Sequence, residues 1–166
     1  MNEKGFTFIE IAVALGILGI ISAISIPSYF SWLPRHRLQT SVRQIYDDMN
    51  MAKSRAVRTN TVAVAIFNIP NDTYTIFLDT SSPLNWAYDG GETVISTGTL
   101  PNGVDIINTT FTSNTYGFNS RGMTQTPATP GDVHLTNHNG LFLGVRVNVA
   151  GSLSIISSTD GGATWS

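Results

Sequence analysis

The sequence predicts an α+β chain in which a long N-terminal helix, membrane-spanning in its first half and amphipathic in its second, packs on a C-terminal antiparallel β-sheet body. Three observations predict it. Residues 11–34 hold no Asp, Glu, Lys or Arg. Apolar residues then recur at helical spacing up to Ala56, and after Asn60 the pattern changes to short β-branched runs separated by turn residues. A helix followed by consecutive strands is the order of an α+β fold.

The uncharged run is 24 residues long. A helix rising about 1.5 Å per residue would reach roughly 36 Å, enough for a hydrocarbon core of about 30 Å. A cleaved secretory signal would have a basic start and an apolar core of about 7–15 residues. This chain instead begins Met1-Asn2-Glu3-Lys4-Gly5. No other helix is apolar enough to enclose the run as a core helix. Residues 6–34 are therefore expected to cross a membrane, with bends near Pro27 and Pro34, where proline removes a helix hydrogen bond.

Residues 35–60 read as a second, amphipathic stretch. Leu38, Val42, Ile45, Met49, Ala52 and Ala56 are three or four residues apart and share one face. That face is expected to lie on a sheet. Six cations (Arg35, Arg37, Arg43, Lys53, Arg55, Arg58) stand against Asp47 and Asp48, a net charge of +4.

Residues 61–166 form the β-rich body. Strands are expected at 61–67, 73–78, 93–96, 104–108, 115–118, 133–136, 141–149 and 153–157. The short connections at Asn137 to Gly140 and at Ala150-Gly151 predict two consecutive hairpins. Here Arg121 and Arg146 face seven acids, a net of -5. Duplex DNA binding needs several phosphate-neutralising cations, so nucleic acid is not expected as a partner of this body.

Catalytic and metal chemistry find no constellation. The chain has no cysteine, which excludes thiolate sites. His36, His134 and His138 come with no nucleophile or carboxylate pattern, and no phosphate-cradling glycine loop occurs. Asp72, Asp89 and Asp160 are turn aspartates, whose ordinary use is bonding backbone amides rather than calcium. No enzyme activity, metal or cofactor is expected.

Glu10 is the residue out of place. A carboxylate at membrane depth costs about 2.5–3.5 kcal/mol, and within the chain Lys4 is the one cation nearby. A partner on another subunit is the sharper expectation.

Gly5-Phe6-Thr7-Phe8-Ile9-Glu10 followed by an apolar helix resembles the class III signal of type IV pilins and pseudopilins. The resemblance implies a leader of residues 1–5, cut by a prepilin peptidase between Gly5 and Phe6, with Phe6 then N-methylated. It implies that Glu10 pairs with the new amine of an adjacent subunit during assembly, since buried charges offset their desolvation only when paired. Pro27 falls where pilins often carry a helix kink. The pilin fold is the implied architecture.

The body is similar to the GspH/FimT branch of minor pseudopilins and minor pilins. The matching pieces are Ala52-Lys53-Ser54-Arg55-Ala56-Val57-Arg58, Tyr116-Gly117-Phe118-Asn119-Ser120-Arg121-Gly122 and residues 145–153. Some members of that branch bind DNA through arginines near the last hairpin, whereas this chain has no Lys or Arg after Arg146.

The resemblance implies a minor pseudopilin that helps initiate or cap a type II secretion or type IV pilus-like filament. A major structural pilin and a DNA- or ligand-binding minor pilin are the alternatives. Implied partners are other pilin subunits, the prepilin peptidase, an inner-membrane assembly platform and, before assembly, lipid. The implied location is the bacterial inner membrane, single-pass with the body in the periplasm, and then an extracytoplasmic filament. Counting flanking cations (Lys4 against Arg35 and Arg37) favours the opposite orientation, so topology rests on the resemblance. Ser158-Thr159-Asp160-Gly161-Gly162-Ala163-Thr164-Trp165 resembles an Asp-box, read as a capped turn that tucks Trp165 onto the body without a returning strand.

Overall fold

The computed structural model describes residue 5, residues 7–81 and residues 84–166, without the side chains of residues 24 and 26–28. The chain divides into two compact units, residues 1–33 and 34–166. One helical element, α1 (Phe8–Thr59), contributes to both.

Within the second unit α1 buries the predicted stripe. Leu38, Val42, Ile45, Met49, Ala52 and Ala56 are all buried in one core with the inner faces of the strands. The helix stops because Asn60 takes a left-handed conformation (φ 53°) and the Thr61 amide reaches back 3.1 Å to the Ala56 carbonyl. This is the Schellman arrangement, which satisfies a terminal carbonyl.

Eight strands follow, and each predicted strand is present: β1 (Val62–Asn68), β2 (Thr73–Asp79), β3 (Thr93–Thr99), β4 (Val104–Thr109), β5 (Thr115–Phe118), β6 (Gly131–Asn137), β7 (Phe142–Val147) and β8 (Leu153–Ser158). They form two sheets, sheet A in the order β3-β2-β1-β5 and sheet B in the order β4-β6-β7-β8, and together these make up the expected antiparallel body. Every pairing is antiparallel, and β6, β7 and β8 are joined by the two predicted hairpins.

The chain changes sheet between β3 and β4, and Asp72 secures the crossing. Its carbonyl accepts the Leu100 amide at 2.9 Å, and its carboxylate accepts the Ile106 amide at 2.8 Å. One turn residue thus ties the start of β2 to the chain on both sides of the switch. Backbone groups at a strand end need such partners when buried.

The inner faces of both sheets supply Ala63, Ala65, Phe67, Ile76, Val133, Leu135, Val145 and Val147 to the core. Alternate residues point the other way, and each outer face is covered by a tryptophan. On sheet A, Trp86 lies against Gly117, where an added Cβ would come within 2.4 Å of the indole. On sheet B, Trp165 stacks on His134 with ring centroids 3.8 Å apart and planes 4° apart.

Candidate assembly site and the outer face of sheet B

The first turn of α1 is closed by its own residues. Thr7 occupies the N-cap and its carbonyl accepts the Ile11 amide at 3.3 Å. The Glu10 amide donates to the Thr7 hydroxyl oxygen at 3.4 Å. In return the Thr7 amide and hydroxyl donate to Glu10 Oε2 at 2.8 and 2.7 Å. This reciprocal capping box satisfies amides that the helix cannot. Both bonds use one carboxylate oxygen, so Glu10 Oε1 is left as an acceptor. Sequence reasoning had not singled out Thr7, although the Thr-x-x-Glu spacing was the signal for it.

Beyond this cap, Phe8, Ile9, Ile11, Val13, Leu15, Ile17, Leu18, Ile20 and Ile21 are all exposed. A helix that is apolar all round is one that another apolar medium must enclose. Ile9, Glu10, Val13, Ala14 and Ile17 line one shallow depression, which sets the carboxylate at an apolar surface. Among the described residues, no helix is long and apolar enough to cross a membrane. The expected cleavage and methylation residue Phe6 lies outside the described residues, and so does the Pro27 side chain of the expected kink. Gly5 is exposed.

The Asp-box-like segment is built as a tight turn. Asp160 Oδ1 accepts the Ser158 hydroxyl at 2.6 Å and the amides of Ala163 and Thr164 at 3.0 and 2.9 Å, while Oδ2 accepts the Thr164 hydroxyl at 2.5 Å. These hydroxyls and amides hold the Asp160 carboxyl well below the usual carboxylate range. The Trp165 indole N–H donates to the Gly162 carbonyl at 3.0 Å. Against expectation the chain does return: Ser166 and Ser157 exchange two backbone hydrogen bonds, 2.9 and 3.1 Å. The turn is long enough to reverse direction, so the last residue pairs with β8.

The histidines also differ from their expected isolation. His134 stands 3.5 Å from Asp132, which Arg146 holds, and His138 stands 3.4 Å from Asp105. Alternation along β6 could have flagged Asp132 and His134 as sharing a face, but Arg146 reaches them only through the β6–β7 register. Asp72 and Asp160 bond backbone amides, and Asp89 accepts the Asn85 side-chain amide at 2.5 Å. Among the described residues no group of His, Asp and Glu is arranged to hold a metal ion.

Two family descriptions match. Residues 41–152 match "Type II transport protein GspH", and residues 1–26 match "Prokaryotic N-terminal methylation motif". A curated relative, the pilin-like protein PilA1 of Thermus thermophilus, is 29% identical over 93 residues, covering 55% of this chain and 57% of the relative. The chain thus spans little more than half the length of that relative. The minor pseudopilin EpsH from the type 2 secretion system of Vibrio cholerae has the same fold at a TM-score of 0.56 and 13% identity, covering 75% of this chain and 99% of that one. The type IV minor pilin FimU of Pseudomonas aeruginosa has it at 0.53 and 15% identity, covering 73% and 89%.

Proposed function

The chain belongs to the GspH family of type II transport proteins, and from that membership we propose that it is a minor pseudopilin, a prepilin-like structural subunit that helps initiate or cap a type II secretion or pilus-like filament. The observation that carries this reading is the family match itself. It runs from the buried half of α1 through sheet A and as far as the β7–β8 turn of sheet B, and an N-terminal methylation motif precedes it.

In this reading a prepilin peptidase cuts between Gly5 and Phe6, and Phe6 becomes the N-methylated terminus. Residues 6–34 hold the subunit in the inner membrane with the body in the periplasm, until an assembly platform moves it into the fibre. There the apolar side chains of residues 8–21 exchange lipid for the helices of other subunits, and both surroundings are dry. Pro27 weakens the helix part-way along, because proline leaves one carbonyl without its donor.

Glu10 gives the step its specificity. Buried alone, the carboxylate would cost about 2.5–3.5 kcal/mol. Cleavage creates the cation that offsets it, the amine of Phe6 on a neighbouring subunit. Support comes from the capping box, which engages only Oε2 and keeps Oε1 for that amine.

Quantitative mass spectrometry of sheared, purified filaments from the native cell tests the proposal. A trace subunit beginning at methylated Phe6 is the expected result. If this chain is the dominant protein, the fibre is made of it and a major-pilin role replaces the minor one.

A further inference from the structure

The apolar part of α1 changes character along its length. From Ile9 to Ile21 its exposed large side chains are aliphatic. Tyr29, Phe30 and Trp32, which come next among the described residues, are aromatic, and each is more than half exposed. Tyr29 is the centre of the cluster. Its ring stands edge-on to Phe30 with centroids 6.1 Å apart, and tilted to Trp32 with centroids 6.3 Å apart. The assembly role gives these rings no task.

Their position along the helix fits a boundary. A hydrocarbon core of about 30 Å takes about 20 residues of helix. Counted back from Tyr29, that length ends at Ile9, where the exposed aliphatic side chains begin. Counted forward, the first charged residue after Glu10 is Arg35, three positions beyond Trp32. The rings thus stand where the uncharged run is about to end.

Their chemistry fits the same place. Tyrosine and tryptophan each join a flat apolar ring to one polar group, and such rings settle at the headgroup level of a bilayer, dry on one side and wet on the other. Their spread around the helix points to lipid rather than to one protein partner. At about 100° per residue, Phe30 lies on one side of Tyr29 and Trp32 on the other, over an arc of roughly 160°. One packed partner covers a stripe of about 100°, whereas lipid surrounds a helix.

We propose that Tyr29, Phe30 and Trp32 form an interfacial collar that binds the headgroup layer of the bilayer and sets the depth of α1. The hydrocarbon then takes residues 9–28, and residues 29–34 stand among the headgroups. The collar rests on the reading that residues 6–34 cross a membrane, and it narrows that reading to a register with Leu18 at the middle. Leucine at positions 29 and 32 has no preference for the headgroups. The uncharged residues up to Pro34 would then be drawn into the core, and the middle of the span would move from Leu18 toward Ile21.

Nitroxide depth measurements on the full chain, in vesicles of phosphatidylethanolamine and phosphatidylglycerol, test the collar. Because the chain has no cysteine, Leu15→Cys, Leu18→Cys and Ile21→Cys each carry a single label. Depth is read as the ratio of collisions with oxygen, which concentrates in the core, to collisions with a water-soluble nickel chelate. With native rings the ratio should be highest at position 18. With Tyr29→Leu and Trp32→Leu combined, the ratio at position 21 should rise severalfold and overtake it. Tyr29→Trp with Trp32→Tyr keeps two interfacial rings and should preserve the native order. A maximum at position 21 with native rings, or the native order kept in the leucine pair, would overturn the collar while leaving the membrane span intact. Collisions dominated by the nickel chelate at all three positions would overturn both.

Discussion

Arg146 grips Asp132 across the β6–β7 register with two side-by-side hydrogen bonds, Nε to Oδ1 at 2.9 Å and Nη2 to Oδ2 at 2.8 Å. The fork fixes the plane of the carboxylate as well as its charge. It therefore determines how the aspartate stands beside His134.

Arg146→Ala should lower stability by about 1–2 kcal/mol, less than a charged hydrogen-bond pair can give because the arginine side chain is 41% exposed. Arg146→Lys restores the charge without the fork and should recover less than half. Urea unfolding of the three proteins measures both.

Gly151 sits at the β7–β8 hairpin with φ 70°, and an added Cβ would stand 2.0 Å from the Gly122 carbonyl oxygen. Gly151→Ala thus combines a left-handed backbone with a steric clash. A loss of about 2–3 kcal/mol is expected, read as a lower midpoint in thermal unfolding. Lys53, which donates to the Gly151 carbonyl at 2.9 Å, should then release that carbonyl.

On the proposed pairing, Glu10→Ala should leave cleavage largely intact yet impair assembly, since the amine of the neighbouring subunit would lose its counter-charge. Electron microscopy of sheared fractions, with immunoblots for the cut form, separates the two effects. Normal fibres would exclude charge pairing as the docking step. A bulky residue at Gly5 should do the reverse and leave uncut precursor in the membrane.

Asp79 is buried at the end of β2 and accepts the Ser81 hydroxyl, the Ser81 amide at 3.0 Å and the Trp86 amide at 3.0 Å. Burial raises its carboxyl, but the Ser81 hydroxyl and the Trp86 and Ser81 amides outweigh that, so it lies below its ordinary value. Its contribution is complete above about pH 3.9 and is lost as pH falls through the lower folded value. Asp79→Asn should cost about 1–2 kcal/mol at neutral pH. The gap to the native protein should close below about pH 3.9, as chemical denaturation at stepped pH would record.

What could be read from the sequence was local. Leu38 to Ala56 declared their face by spacing, and every strand announced itself through β-branched runs between turn residues. Thr7 was legible too, through its distance to Glu10. The two-sheet division was not, because it depends on Asp72 bonding Ile106, a contact between residues 34 positions apart. The surroundings of His134 were hidden for the same reason: Asn108, Arg146 and Trp165 are its neighbours only once register and turn length are known. Spacing encodes which face a residue takes, and pairing encodes whom it meets.

The buried positions of α1 begin at Leu38, and none of the described residues before it joins the core. The free energy of the folded body therefore resides in residues 34–166 and is insensitive to whatever medium surrounds residues 8–33. A subunit built this way can be pulled from one apolar environment into another as finished cargo. In the proposed role the assembly platform would work against the transfer of a single helix, and no part of the body would need to melt and re-form on the way.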